Sequence, residues 1–235
     1  ASLAGINLDG GGADNKSMIG LEVLKTWGFL EKFIEQHNIE KEIFAATDWN
    51  RLSNKLSFDE DIYDPTSNKW VREFDPRKGE AAEPSSWELY EEFSKMIKVT
   101  EDKDSGLFKL SVEHISPVLA KQWVDKLVIA INNHMRVKDE AEAKKSIAYL
   151  KKKAEETNLA QMQSVFYQLI EEQTKTLMLA EVSDEYVFKT ISEAKVPEEK
   201  LSPSRALICI LGFLLGVFVS MVILVVKAIF KTSES

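Results

Sequence analysis

The stretch SPVLAKQWVDKLVIAINNHMRVKDEAEAKKSIAYLKKKAEETNLAQMQSVFYQLIEEQTKTLMLAEV, residues 116–182, decides the fold. Ser116 and Pro117 supply a helix N-cap and a first-turn proline, and no further proline occurs until Pro197, so a helix can run uninterrupted from Pro117 to about Val182. Its first part carries an apolar stripe at Leu119, Trp123, Leu127, Ile131 and Met135. From Lys138 to Lys153 the stripe thins to Ile147 and Leu150 among Lys, Glu and Ala, and around 155–158 it is lost. A second stripe begins at Leu159 and continues through Met162, Phe166, Leu169, Ile170 and Leu177. This pattern predicts a reversal near Thr157 or Asn158 and a helical hairpin; one unbroken rod is the alternative. A first helix of about 40 residues would extend roughly 60 Å. Helices draw their stability mainly from a buried face, so the sparse far half predicts packing by neighbouring copies, a coiled-coil-like homo-oligomer with Met162, Phe166, Leu169 and Ile170 as packing residues. The competing expectation is a solvated, charge-laced arm.

Toward the C-terminus, residues 206–226 (ALICILGFLLGVFVSMVILVV) hold no charge. At about 1.5 Å per residue such a run matches the roughly 30 Å hydrocarbon core of a bilayer and predicts a transmembrane helix. Lys227 and Lys231 follow it and only Arg205 immediately precedes it, which predicts a cytoplasmic tail over 227–235 and places residues 1–205 across the membrane. That orientation implies an export signal or a first membrane helix before Ala1. Within the run, Gly212, Gly216 and Ser220 recur at four-residue spacing, a small-residue face suited to close helix packing. Between arm and run, YVFKTI (186–191) reads as a returning strand, and 196–205 as a proline-containing linker.

Toward the N-terminus, strand-like and helical signals alternate less regularly. Gly5, Gly10, Gly11 and Gly12 among small polar residues predict a flexible loop, and Asp9 and Asp14 stand where a phosphate-cradling loop would need neutral or basic groups. Ser17 or Asp14 caps a helix whose stripe Val23, Trp27, Leu30 and Ile34 runs to about Gln36. Residues 39–56 read ambiguously. Residues 57–84 form a long acidic connection with Asp59, Glu60, Asp61 and Asp64, which lacks the ligand spacing of a helix-loop-helix calcium site. Ser85 and Glu88 make a capping box ahead of Leu89, Phe93 and Ile97, and 107–113 alternates as a strand with one wet face.

Composition narrows the function. A net charge of −8 with both signs mixed argues against a nucleic-acid surface. Cys209 is the single cysteine, so no intrachain disulfide can form, and His37, His114 and His134 are scattered without metal-ligand spacing. No nucleophile and base pair at a recognisable spacing, and adjacent carboxylates such as Glu155 with Glu156 or Glu171 with Glu172 diverge on a helix. The residues therefore point to an exported, anchored, oligomeric scaffold with no catalytic site, no metal and no cofactor.

Three segments, 11–34 (GGADNKSMIGLEVLKTWGFLEKFI), 116–136 (SPVLAKQWVDKLVIAINNHMR) and 166–216, resemble the bacterial O-antigen chain-length determinants (Wzz-type), the polysaccharide co-polymerases. Most specific is the juxtamembrane pattern, matched by Pro197, Ser202, Pro203 and Arg205. The resemblance implies an α+β fold: a membrane-anchored periplasmic α/β base (1–116), a long helical arm (117–183), a return strand and linker (184–205), a C-terminal transmembrane helix (206–226) and a short cytoplasmic tail (227–235). It also implies a ring of copies in the cell inner membrane that sets the modal length of lipopolysaccharide O-antigen with the O-antigen polymerase. Contact with the growing polysaccharide and with membrane lipid would follow, without catalysis by the chain itself. Relatives that carry a kinase have a Gly-Lys-Ser/Thr loop, which is absent from this sequence. A periplasmic adaptor or scaffold of an envelope export machine is the alternative function.

Overall fold

The computed structural model describes residues 12–79, 81–197, 209–210 and 212–221. The chain divides into two units, Ala1–Val196 and Pro197–Ser235. Helices α1 (Gly12–Leu24), α2 (Trp27–His37) and α3 (Glu40–Phe44) lead into strands β1 (Ala46–Asn50), β2 (Lys55–Phe58), β3 (Tyr63–Asp64) and β4 (Lys69–Trp70). A 3-10 turn (Pro76–Lys78), α4 (Ser86–Met96), β5 (Ile97–Asp102), β6 (Leu107–Val112), α5 (Pro117–Glu156) and α6 (Ala160–Val182) complete the unit. The strands pair as three separate antiparallel hairpins, β1 with β2, β3 with β4 and β5 with β6.

The core forms where α2, α4 and the first half of α5 meet over the inner face of β5–β6. Phe33 stacks on Phe93 at 5.7 Å, and Trp123 meets Phe93 edge-on at 5.4 Å. Leu30, Ile34, Leu127, Ile131 and Met135 fill the space around them. On the sheet, Ile97 opposes Val112 and Val99 opposes Leu110, so alternate residues face the helices and the others face solvent.

Two local devices fix the base. Ser85 accepts from the Glu88 backbone N–H and Glu88 returns a bond to the Ser85 backbone, a complete capping box, which satisfies donors that the first turn of α4 leaves open. Arg72 then forks onto the same carboxylate at 2.6 and 3.0 Å and donates to the carbonyls of Ala81 and Ala82. This guanidinium, helped by Ser85, holds Glu88 at a pKa of about 2. The acidic stretch 57–84 is thereby tied to α4 and contains β3, β4 and the 3-10 turn.

Several expectations are corrected. The helix from Ser17 to Gln36 is two helices: α1 starts at Gly12, and after Leu24 the chain tightens through bonds from Lys25 N–H to Glu22 O and Thr26 N–H to Val23 O. Thr26 then adopts an extended conformation (φ −74°, ψ 144°) and α2 begins. Trp27 consequently lies at the start of α2, partly exposed, and not in the core stripe. Residues 186–191 form no strand; their backbone is bonded by a side chain of α5, described below. The fold class is corrected at its C-terminal end, because among the described residues no helix is long and apolar enough to cross a membrane. Within 206–226 the described helical residues are 209–210 and 212–221, and the remainder of the expected transmembrane helix, with the tail 227–235, lies outside the described residues.

Candidate functional site

α5 and α6 form a helical arm rooted in the core of the base. At its root, Ser116 Oγ accepts from the Leu119 N–H at 3.3 Å, with Pro117 in the first turn. His114 Nδ1 accepts from the Ser116 N–H at 3.1 Å, which leaves Nε2 to donate to the Glu42 carbonyl 3.0 Å away. Burial holds His114 below the usual imidazole range, in keeping with this neutral tautomer. The Glu42 carboxyl is pushed up by burial, and among the described residues its buried Oε2 has no hydrogen-bond partner.

Where α5 leaves the core, Asn132 is buried and bonds the returning chain. Its Oδ1 accepts from Val187 N–H and Phe188 N–H, both at 2.8 Å, and its Nδ2 donates to the Phe188 carbonyl at 2.9 Å. One carboxamide thus supplies the hydrogen bonds that a neighbouring strand would have given to residues 187–188. Phe188 lies so close to α1 that a Cβ on Gly20 would sit 2.8 Å from its ring. Beside it, Lys16 Nζ is 2.8 Å from Asp139 Oδ2 and 3.0 Å from the Tyr186 hydroxyl, and that hydroxyl donates to Asp139 at 2.8 Å. Burial opposes the Lys16 charge, but bonds to Asp139 and Tyr186 outweigh it and raise its pKa. α1, α5 and the returning segment are therefore joined at one point.

Beyond that point α6 lies against α5. The far half of α5 buries Ala143 and Ala154 and half-buries Ile147 and Leu150. On α6, Gln163, Phe166, Ile170, Gln173 and Leu177 are half-buried and Ala180 is fully buried, a spacing that alternates three and four residues as in an antiparallel coiled coil. Three residues, 157–159, make the reversal. Gln163 Nε2 closes it by donating to Thr157 O at 3.0 Å and Ala154 O at 3.3 Å, which satisfies carbonyls that the end of α5 leaves open.

The residues expected to pack the arm divide between two faces. Phe166 and Ile170 lie in the seam, whereas Met162 and Leu169 fall on its flank with Val165 and Leu179. Met162 is 43% exposed, Val165 47% and Leu179 62%. In the second unit, Gly212 and Gly216 face open space where a side chain would begin, and Ser220 donates to the Val217 carbonyl at 2.8 Å. Pro197 is exposed; Ser202, Pro203 and Arg205 lie outside the described residues. Sequence reasoning missed Asn132, Lys16 and Gln163. The signal for Asn132 was a polar pair, Asn132–Asn133, inside an otherwise apolar stripe. Among the described residues no cluster of His, Cys, Asp and Glu could hold a metal ion. No protein-family model matches the chain, and no curated protein matches it.

Proposed function

We propose that this chain is a non-catalytic, oligomeric regulator of O-antigen chain length, acting with the O-antigen polymerase at the periplasmic face of the bacterial inner membrane. The observation that carries the reading is the arm: its far half buries only alanines fully on α5 and leaves Met162, Val165 and Leu179 uncovered on α6. Such a flank suits contact between copies. Charge favours the same contact. Lys138, Lys145 and Lys152 recur every seventh residue on the exposed side of α5, while α6 carries Glu171, Glu172 and Glu181 against a single Lys175. The exposed α5 lysines of one copy meet α6 of the next, on which acids outnumber the one lysine, in a head-to-tail contact that generates a ring when the rotation closes. The resemblance of 11–34, 116–136 and 166–216 to chain-length determinants supplies the biological role: arms grouped in a ring bias the polymerase between extending and releasing its polysaccharide.

The test is the lipopolysaccharide banding pattern of a deletion strain complemented with the wild-type gene or with Lys145→Glu combined with Lys152→Glu. The wild type restores a modal cluster; the charge reversal gives random lengths with total lipopolysaccharide unchanged. Loss of all long-chain material in the deletion strain would instead favour the export scaffold, and an unaltered pattern would overturn both readings.

A further inference from the structure

The β1–β2 hairpin ends in a turn that presents an apolar side chain to water. Leu52 is 99% exposed, and the turn that carries it is fixed by its own side chains. Asn50 Oδ1 accepts from the N–H groups of Leu52 and Ser53 at 2.9 and 3.0 Å. Asn54 takes the left-handed conformation (φ 51°), and its Oδ1 accepts from Trp49 Nε1 at 2.8 Å. The tip is therefore pre-shaped, and Leu52 is held out in water without the ordering cost that a loose loop would add on docking.

Its charge selects the occupant. Residues 49–55 (WNRLSNK) contain Arg51 and Lys55 and no acid, in a chain of net charge −8. Among the described residues neither cation is ion-paired. An apolar residue in the turn, one cation beside it, a second at the first strand pair and a half-buried indole below suit a membrane surface, which offers an acyl boundary, phosphates and an interfacial zone. We infer that the β1–β2 turn docks on an anionic lipid surface, with Leu52 below the headgroups and Arg51 and Lys55 at the phosphates. The inference rests on the envelope reading only for which membrane is met; the docking itself is independent of the arm.

The test uses the full chain with Cys209→Ser and Leu52→Cys, labelled at position 52 with an apolar environment-sensitive fluorophore. A matched protein carries the label through Ser67→Cys in the exposed β3–β4 turn. With vesicles of equal parts phosphatidylglycerol and phosphatidylethanolamine, the label at 52 shifts to the blue and is quenched by nitroxides on the acyl chains, while the label at 67 stays aqueous. Arg51→Glu with Lys55→Glu lowers the docked fraction about tenfold or more. A label at 52 that behaves as at 67, an equal shift on pure phosphatidylcholine, or a shift that needs only more protein and no lipid would each overturn the proposal. The last of these would assign the turn to a second copy. The lipopolysaccharide pattern is read separately, so failure of one proposal leaves the other standing.

Discussion

The two halves of α5 are one continuous helix held by different means. Its first half buries Trp123, Leu127, Ile131 and Met135 almost completely against α2, α4 and β6. Its second half buries only Ala143 and Ala154, and leaves Ile147 and Leu150 half-covered by α6. A large side chain contributes roughly 1.5–3 kcal/mol on full burial, whereas an alanine removes far less area from water. The first half of α5 is therefore held by large buried side chains, whereas the far half rests on small ones and on the partial cover of α6.

Truncation should expose this difference most strongly. Trp123→Ala removes a fully buried indole from between Phe93 and His114 and should cost about 3–5 kcal/mol, read as a lower denaturant midpoint for the base. Leu150→Ala in the far half should cost about 1 kcal/mol or less in dilute protein, since that site is already partly solvated. Equal losses would erase the contrast between the halves.

At the junction, Asn132→Leu would leave Val187 N–H, Phe188 N–H and Phe188 C=O without the partner that now satisfies all three. A loss of about 2–4 kcal/mol is expected, with early hydrogen exchange at 186–188. Unchanged exchange there would show that the returning segment is held by packing alone.

The smallest effect concerns acid. Glu88 has a folded pKa of about 2, below its ordinary 4.5, so its bond to Arg72 contributes fully above about pH 4.5 and is lost as pH falls toward 2. Glu88→Gln should flatten the stability profile of the base between those values without altering stability of the arm. A wild-type slope in the variant would place the acid sensitivity elsewhere.

Much of the helical layout is legible in the sequence because its signals are local. Ser116 with Pro117, the Ser85–Glu88 box and the loss of stripe around 155–158 each mark a helix end where the structure has one. The alternation over 107–113 likewise coincides with β6. What escapes is non-local or disguised. The spacing of Val23, Trp27, Leu30 and Ile34 continues across the break at Lys25–Thr26, so periodicity alone joins α1 to α2. Ile97 extends the four-residue rhythm of Leu89 and Phe93 although it opens β5. Residues 186–191 read as a strand from their aromatic and β-branched side chains, yet 184–187 form a bend and the backbone bonds at 187–188 come from Asn132. In the arm, Phe166 and Ile170 were recognisable as apolar, but the seam runs through Gln163 and Gln173, polar residues that a search for apolar stripes passes over. The uncharged run 206–226 is read from its hydropathy, while among the described residues no helix is long and apolar enough to cross a membrane.

The central claim, that the arm completes its packing between copies while the base does not need them, is tested most directly by hydrogen exchange of the full-length protein at increasing concentration. Amides of 143–156 and 160–180 should gain protection as concentration rises, and those of 119–135 should stay constant. Protection of the arm that is independent of concentration, and equal to that of the base, would contradict it.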